Sequence, residues 1–455
     1  MNEILFHYHK VNPTTWVYLS SLLTIGLFFK FSRLWSVRNL DLIGLIALAP
    51  GLLLVHYGQE TVDPSIEQVG YIWLFTMGGL FIIRLLLDPM MVRRPLLEPN
   101  LSMGGMTFIG ISLLVFLMAN VITSKPAVED LVGATAAEQL LAREQPAEGD
   151  DLLARYGPGY PLLHTLSSYP TQRIFVESPE SPTQSKVELD VSRQRAREAA
   201  TRTMAIISHL AIVLGMVLIG YNHFDNIKTG IAAALLYLLL PYTSIFTGRV
   251  EHVLPAALMI WAVVAYRRPL VAGMLMGLAI GVSYYPLFLL PLWFSFYWQR
   301  GLMRFLAGVA SMIALLVGSL ALTSVDVDAF LGRTRAMFGW TLPRRHGLDG
   351  FWDADFRDPA YRIPVLAAFV VLSGSLALWP AQKNLGTLMS CSAALMLGAQ
   401  FWHGHGGGLL MAWYLPLMLL TIFRPNLEDR VALTVLGQGW TSRHRLRLRS
   451  VDQAA

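Results

Sequence analysis

Cysteine is almost missing: Cys391 is the single one in 455 residues, so no intramolecular disulfide and no cysteine-based metal site can form. Charge is scarce too. Charged residues make up 14% of the chain against 54% hydrophobic ones, and the mean hydropathy is +0.50, far from the balance of a soluble domain. There is no G-x-x-x-x-G-K-[ST] and no G-x-G-x-x-G, so a nucleotide has no phosphate loop to bind. The apolar stretches hold no chain of carboxylates and no matched pair of interrupted helices, which disfavours a proton-coupled or secondary transporter. What the sequence has instead is apolar blocks of roughly 17–22 residues, the length a helix needs to cross a ~30 Å hydrocarbon core. The expected fold is an all-α, polytopic transmembrane bundle.

Thirteen spans are expected, at about 14–31, 40–57, 69–88, 103–123, 203–221, 228–246, 251–266, 269–283, 285–298, 303–323, 361–379, 385–401 and 408–423. Tyr284-Tyr285-Pro286 allows only a tight turn, so the eighth and ninth can equally be one broken helix. The first apolar stretch is too long for a signal peptide and has no small-residue cleavage site, so it reads as a retained helix. Arg33/Arg38, Arg93/Arg94, Arg267/Arg268, Arg300/Arg304 and the tail Arg443–Arg449 all follow odd-numbered spans. The positive-inside rule then puts the N-terminus outside and the C-terminus in the cytoplasm. It explains the net charge of +5 without nucleic acid as a partner. Lys30 and Arg84, at cytoplasmic span ends, are expected to snorkel.

The loops 124–202 and 324–360 share the outer face with the turns Gly248–His252 and His403–Gly408, as roofs over a chamber would. Asp130, with Glu129 beside it, closely follows the fourth span, where a carboxylate meets a lipid-borne substrate at head-group level and can take a proton from an acceptor hydroxyl; a solvated loop acid is the alternative. Tyr156-Gly-Pro-Gly-Tyr160-Pro reads as a turn into a short apolar helix, its tyrosines suited to the interface. Arg249, Glu251 and His252 crowd one turn: Arg249 could hold a phosphate while Glu251 orients Arg249 or His252, or the three could form an ordinary polar turn. Arg344-Arg345-His346 is a basic patch flanked by aromatics, fit for an anionic head group, a sugar ring, or plain interfacial anchoring. His403 and His405 lack a third ligand in sequence and make a poor metal site; a polar outer turn suits them better. No metal site is assigned.

The order of these features carries a resemblance. A span, an early loop acid (Asp130), Tyr156-Gly-Pro-Gly-Tyr-Pro-Leu-Leu163, Thr201-Arg202 opening a helix, Leu240-Pro-Tyr-Thr-Ser-Ile-Phe-Thr-Gly-Arg-Val-Glu251, Tyr266-Arg-Arg-Pro269 and Tyr285-Pro-Leu-Phe-Leu-Leu-Pro291 follow one another. This succession resembles the GT-C superfamily of integral membrane glycosyltransferases, with family 87 and the bacterial family 39-like enzymes nearest in flavour. It covers roughly Met103 to Pro291, and the C-terminal third only in general pattern, as in Trp413-Tyr-Leu-Pro416. The resemblance implies transfer of a sugar from a polyprenyl-phosphate donor to a lipid, glycan or protein acceptor at the outer face of a bacterial inner or plasma membrane. It implies Asp130, or Glu129, as catalytic base, and Arg249, Glu251, His252, Arg344, Arg345, His346, Tyr156, Tyr160 and His403 as the pool from which phosphate and substrate contacts are drawn. No cofactor is required beyond the lipid-linked donor; a divalent metal is compatible and not implied. Many family 87 relatives place a Lys before the proline of the broken helix, whereas this chain has Ser283-Tyr284-Tyr285-Pro286, so Arg249 or Arg344/Arg345 would have to supply that cation. Spans one to three have no counterpart in the resemblance. The expected division is therefore an extension (1–102), a GT-C-like core (103–424) and a basic tail (425–455). A non-catalytic polytopic scaffold or lipid-binding protein of an envelope assembly is the alternative, and under it the loop acids would be interchangeable with Asn or Gln.

Overall fold

The computed structural model describes residues 12–91, 99–142, 157–175, 186–324, 326–339, 347–427 and 430–437. Tyr156, the patch Arg344-Arg345-His346 and residues 428–429 and 438–455 of the basic tail lie outside the described residues. The described chain is helical, with no strand among the described residues beyond an isolated bridge between Asn384 and Val431. In order it forms α1 (Pro13–Phe28), α2 (Val37–Thr61), α3 (Pro64–Leu87), α4 (Met103–Thr123), α5 (Val132–Ala142), α6 (Gly159–Phe175), α7 (Lys186–Asn222), α8 (Ile227–Leu239) and α9 (Pro241–Ile245). Then follow α10 (Val250–Val264), α11 (Pro269–Val282), α12 (Leu290–Tyr297), α13 (Leu302–Thr323), α14 (Val327–Met337), α15 (Arg362–Leu378), α16 (Leu385–Gln400), α17 (Leu415–Phe423) and α18 (Ala432–Gly437).

Local sequence explains where these helices begin. Asn12, Ser36, Asp63, Ser102, Asn226 and Asn384 each accept a hydrogen bond from a backbone N–H of the first turn that follows, and Pro13 and Pro64 take the first helical position, where no N–H is needed. Each of the thirteen apolar stretches holds a helix, but their lengths differ. Six are long and apolar enough to cross a membrane: Val37–Thr61, Pro64–Met90, Met103–Thr123, Leu189–Asn222, Leu302–Thr323 and Pro359–Leu378. Others are shorter apolar helices, such as Ile227–Leu239 and Leu385–Gln400. These two are buried almost throughout, whereas α4 and α13 expose apolar side chains such as Phe108, Val115 and Leu322, as lipid-facing helices do. The chain is an integral membrane protein.

Small residues set the closest helix contact. Gly273, Gly277 and Gly281 form a stripe along α11 that packs on α13, and a Cβ at Gly273 would stand 2.2 Å from the Phe305 carbonyl oxygen. Gly308 returns the contact against Leu270.

The two ends of the bundle differ in chemistry. At one end, Asp41 and Asp88 bracket Arg84 (Nε to Asp41 Oδ1 2.8 Å, Nη1 to Asp88 Oδ1 3.0 Å), and Arg424 reaches Asp88 Oδ2 at 2.7 Å. Arg84 therefore does not snorkel. It is held between two carboxylates, because α3 packs its last turn against α2 and the chain after α17 rather than against lipid. Arg430 pairs with Asp225 at the same end, and the Arg267–Arg268 turn follows α10. At the other end lie the turn 124–131, α6, the start of α10 and the 403–408 turn, where polar side chains gather.

Candidate functional site

The site is assembled from two turns that are far apart in sequence. After α4, a short 3-10 turn (Val128–Leu131) is closed by the Asp130 side chain, whose Oδ2 accepts the Ala127 N–H at 3.1 Å. Leu131 is buried below it, and Thr201 Oγ1 lies 3.5 Å from the Asp130 carbonyl oxygen, so α7 holds the turn in place. The second turn, Phe246–Arg249, is set by Thr247, whose hydroxyl donates to Thr243 O (2.6 Å) and whose carbonyl meets His209 Nε2 (3.1 Å). Tyr237 OH holds the other nitrogen of that ring at 3.0 Å. This places Arg249 at the N-cap of α10, with Glu251 in its first turn, where the helix dipole favours a carboxylate.

Arg249 joins the two turns. Its Nη1 lies 2.7 Å from Glu129 Oε2 and 3.5 Å from Glu251 Oε1, and its Nε lies 3.2 Å from Asp130 Oδ1. The three acids are not equivalent. Glu129 is 63% exposed, whereas Asp130 is 10% and Glu251 12% exposed. Burial pushes the Asp130 carboxyl above the ordinary carboxylate range, with the Arg249 charge and the Ala127 N–H pulling it only part of the way back. Burial works against the Arg249 charge, but Asp130, Glu251 and Glu129 more than offset it and raise the guanidinium, which stays ionised. His252 is positioned on both sides, with Nε2 3.6 Å from Glu251 Oε1 and Nδ1 2.8 Å from Tyr242 OH.

Three cavities surround this cluster. The first, of about 250 Å³, is lined by Asp130, Arg249, Lys125 and Arg202 from the core, and by Trp16 and Gln59 from α1 and α2. A narrow second one of about 30 Å³ lies on the other side of Glu251 and brings together Tyr160, Tyr285, His403 and Trp413. Their rings pack closely: Tyr285 sits 5.1 Å from His403 and 5.0 Å from Trp413, between ring centroids. A third cavity of about 460 Å³ is an apolar groove between α6, α7 and α10, with Leu163, Leu166, Met204, Leu254, Leu258 and Trp261 on its walls. Met204 and Leu254 also cluster with Tyr160 and Val250, so the groove's inner wall is continuous with the floor of the site.

The glycine motif after Tyr156 owes its composition to a close approach. A Cβ on Gly157 would stand 2.1 Å from Gly281 O, and one on Gly159 would stand 2.9 Å from Gly281 C. Gly157 N–H donates to Val282 O at 3.2 Å, so the start of α6 is laid directly on the end of α11. His164 on α6 is buried under Gly133, neither ring nitrogen has a partner among the described residues, and burial pulls its pKa down to about 4.

Of the residues singled out in the sequence, Glu129, Asp130, Arg249, Glu251 and His252 converge, and Tyr160 and His403 join them across Glu251. Tyr156, Arg344, Arg345 and His346 fall outside the described residues. His405 pairs with Asp349 (Nδ1 to Oδ2 3.2 Å) while its backbone N–H donates to His403 Nδ1 at 3.2 Å, and no grouping of three His, Cys, Asp or Glu side chains suited to a metal occurs among the described residues. Arg202, singled out in the sequence only at the opening of a helix, also lines the site, as do α1 and α2, which were given no role there. A cation one residue before an apolar span is a signal for Arg202, whereas nothing local marks Trp16 or Gln59.

Residues 196–338 match the family model of glycosyltransferase family 87, which, with the long apolar helices, supports a membrane glycosyltransferase of the GT-C type. The matched segment holds Arg249, Glu251, His252 and the glycine stripe of α11; Asp130 and α1–α3 precede it. No curated protein and no solved structure matches the chain.

Proposed function

We propose that the protein transfers a sugar from a polyprenyl-phosphate donor to an acceptor hydroxyl at the outer face of the membrane, with Asp130 as general base. The observation that carries this reading is the setting of Asp130. A loop acid beside Glu129, which is 63% exposed, would ordinarily be solvated, yet Asp130 is only 10% exposed, paired with Arg249, and faces a cavity. Its raised pKa makes it a better proton acceptor than an ordinary carboxylate. As the anomeric C–O bond breaks, negative charge collects on the departing lipid phosphate. Arg249, held ionised by its neighbours, is the cation nearest to that event, and releasing the exposed Glu129 would free one of its edges. The apolar groove beside Met204 and Leu254 suits a polyprenyl chain, so donor lipid and base approach the same floor from different sides. Charge supports the orientation: Arg84, Arg424 and Arg267 gather at the end opposite the site, the pattern of a cytoplasmic face.

The test is sugar transfer from a polyprenyl-phosphate sugar in membranes expressing wild type or Asp130→Asn. General-base catalysis contributes about 10²–10⁴-fold, and the variant is expected to lose that much of kcat with donor affinity retained. Transfer at wild-type rate by Asp130→Asn would remove the residue from the mechanism. Retention of rate by Glu251→Gln and Arg249→Gln as well would favour the scaffold reading.

A further inference from the structure

The 250 Å³ cavity is a composite. One wall is the Asp130–Arg249 cluster with Arg202 of α7, and the other is made by Trp16 of α1 and His56 and Gln59 of α2, which lie well before the family 87 match. The N-terminal wall is fixed in place. Trp16 is 6% exposed and stacks on Phe116 of α4 with ring centroids 5.5 Å apart and planes within 4°. His56 Nε2 is braced at 3.2 Å by Glu60, and Gln59 Nε2 donates to Glu67 at 3.0 Å. At the site end, Gln68 of α3 donates to Gly350 O (2.6 Å); at the far end, Asp88 ties the same helix to Arg424. Two donors around this cavity are buried without a partner among the described residues: the indole N–H of Trp16 and Nε–H of Arg202. A buried donor without a partner has given up its hydrogen bond to water for nothing, so two at one cavity mark a place where ligand oxygen atoms are expected.

We infer that α1–α3 form the acceptor half of the site, and that Trp16, His56 and Gln59 select a neutral sugar ring as acceptor. This rests on the transferase reading for the reaction but not for the binding. The chemistry matches a polyol on three counts. Trp16 and Arg202 donate to hydroxyl oxygens, the Asp130 carboxylate takes the proton of the attacking hydroxyl, and Trp16 and Phe116 give an aromatic wall for the C–H face of a ring. The size agrees as well. The cavity falls below the ~300–1,000 Å³ of sites that enclose drug-sized ligands, and holds one ring rather than an extended chain.

The experiment uses the full chain in detergent or nanodiscs and a panel of methyl glycosides, with binding read by saturation-transfer NMR and melting followed in parallel as a check on folding. At least one glycoside is expected to bind wild type. Gln59→Ala and the ring-preserving Trp16→Phe should each weaken it about tenfold. In the transfer assay the same variants should raise acceptor KM with donor KM unmoved, a split that general misfolding does not produce. Glycoside binding that depends on Trp16 and Gln59 without any transfer would sustain the inference and count against the transferase reading. No glycoside bound by wild type, binding of inorganic phosphate alone, or glycoside binding indifferent to both substitutions would overturn it.

Discussion

At the scale of single residues, Asp130 illustrates a conflict between stability and chemistry. Its carboxyl titrates above the ordinary range because burial outweighs the help of Arg249, so folding favours the protonated form. The group therefore adds stability as pH falls through its raised pKa, and above that pKa the buried charge weighs against the fold. Asp130→Asn should thus melt at or above wild type at pH 7 while losing activity, a pairing that a structural role would reverse. Catalysis has the opposite sign, since only the ionised form accepts a proton. The rate should fall with decreasing pH, beginning at a higher pH than an unshifted aspartate would dictate. Arg249→Gln removes the main influence holding Asp130 down and leaves Glu251 beside it, so the acidic limb of the pH–rate profile should move to higher pH. Loss of phosphate stabilisation should lower kcat by roughly 10²–10³-fold. A pH–rate series on wild type and Arg249→Gln checks both, and an unmoved limb would mean that a different group is titrating.

At the scale of elements, the motif Tyr156-Gly-Pro-Gly-Tyr160 shows what local sequence can and cannot convey. Its turn chemistry announces the start of α6, but the reason for two glycines is Gly281, more than a hundred residues away, and no window of sequence contains both. Gly157→Ala would place a methyl group 2.1 Å from Gly281 O, against backbone that has nowhere to go. A cost of about 1–3 kcal/mol is expected from such overpacking, read as a lower melting temperature and reduced transfer as α6 lifts Tyr160 from the site. Gly318→Ala, whose Cβ would meet nothing within 4 Å, should be neutral to stabilising. The same distinction governs what was legible throughout. Apolar runs located the core helices, and Asp130 and Arg249 each stood out as polar residues at loop positions, but their pairing came only with the fold, since the two lie more than a hundred residues apart. Arg84 was misjudged because its carboxylates, Asp41 and Asp88, come from another helix and from beyond its own last turn. Trp16 and Gln59 were invisible because an apolar-helix tryptophan and a helix-end amide gain meaning only when α1 and α2 fold over the core.

At the scale of the whole molecule, the chain divides its charges between two ends. One gathers acids around a single shared arginine; the other ties Arg84 and Arg424 to buried aspartates where α3 meets the chain after α17. A buried pair is weak evidence for stability, but breaking one leaves an uncompensated charge, so Asp88→Ala should cost roughly 3–5 kcal/mol and loosen the N-terminal helices. If the site end is the outer face, a lipid-linked donor meets its base outside the cytoplasm, and the absence of a nucleotide-binding loop follows naturally. That orientation is open to a direct test, because Cys391 is the sole cysteine and is buried. In a Cys391→Ser background, a cysteine at Val128, which is 85% exposed beside Asp130, should react in intact cells with a membrane-impermeant thiol reagent. A cysteine at Trp298, 72% exposed after α12, should react only once the membrane is opened. The reverse pattern would place Asp130 on the cytoplasmic side, and the reaction would then have to draw its donor from the inner leaflet.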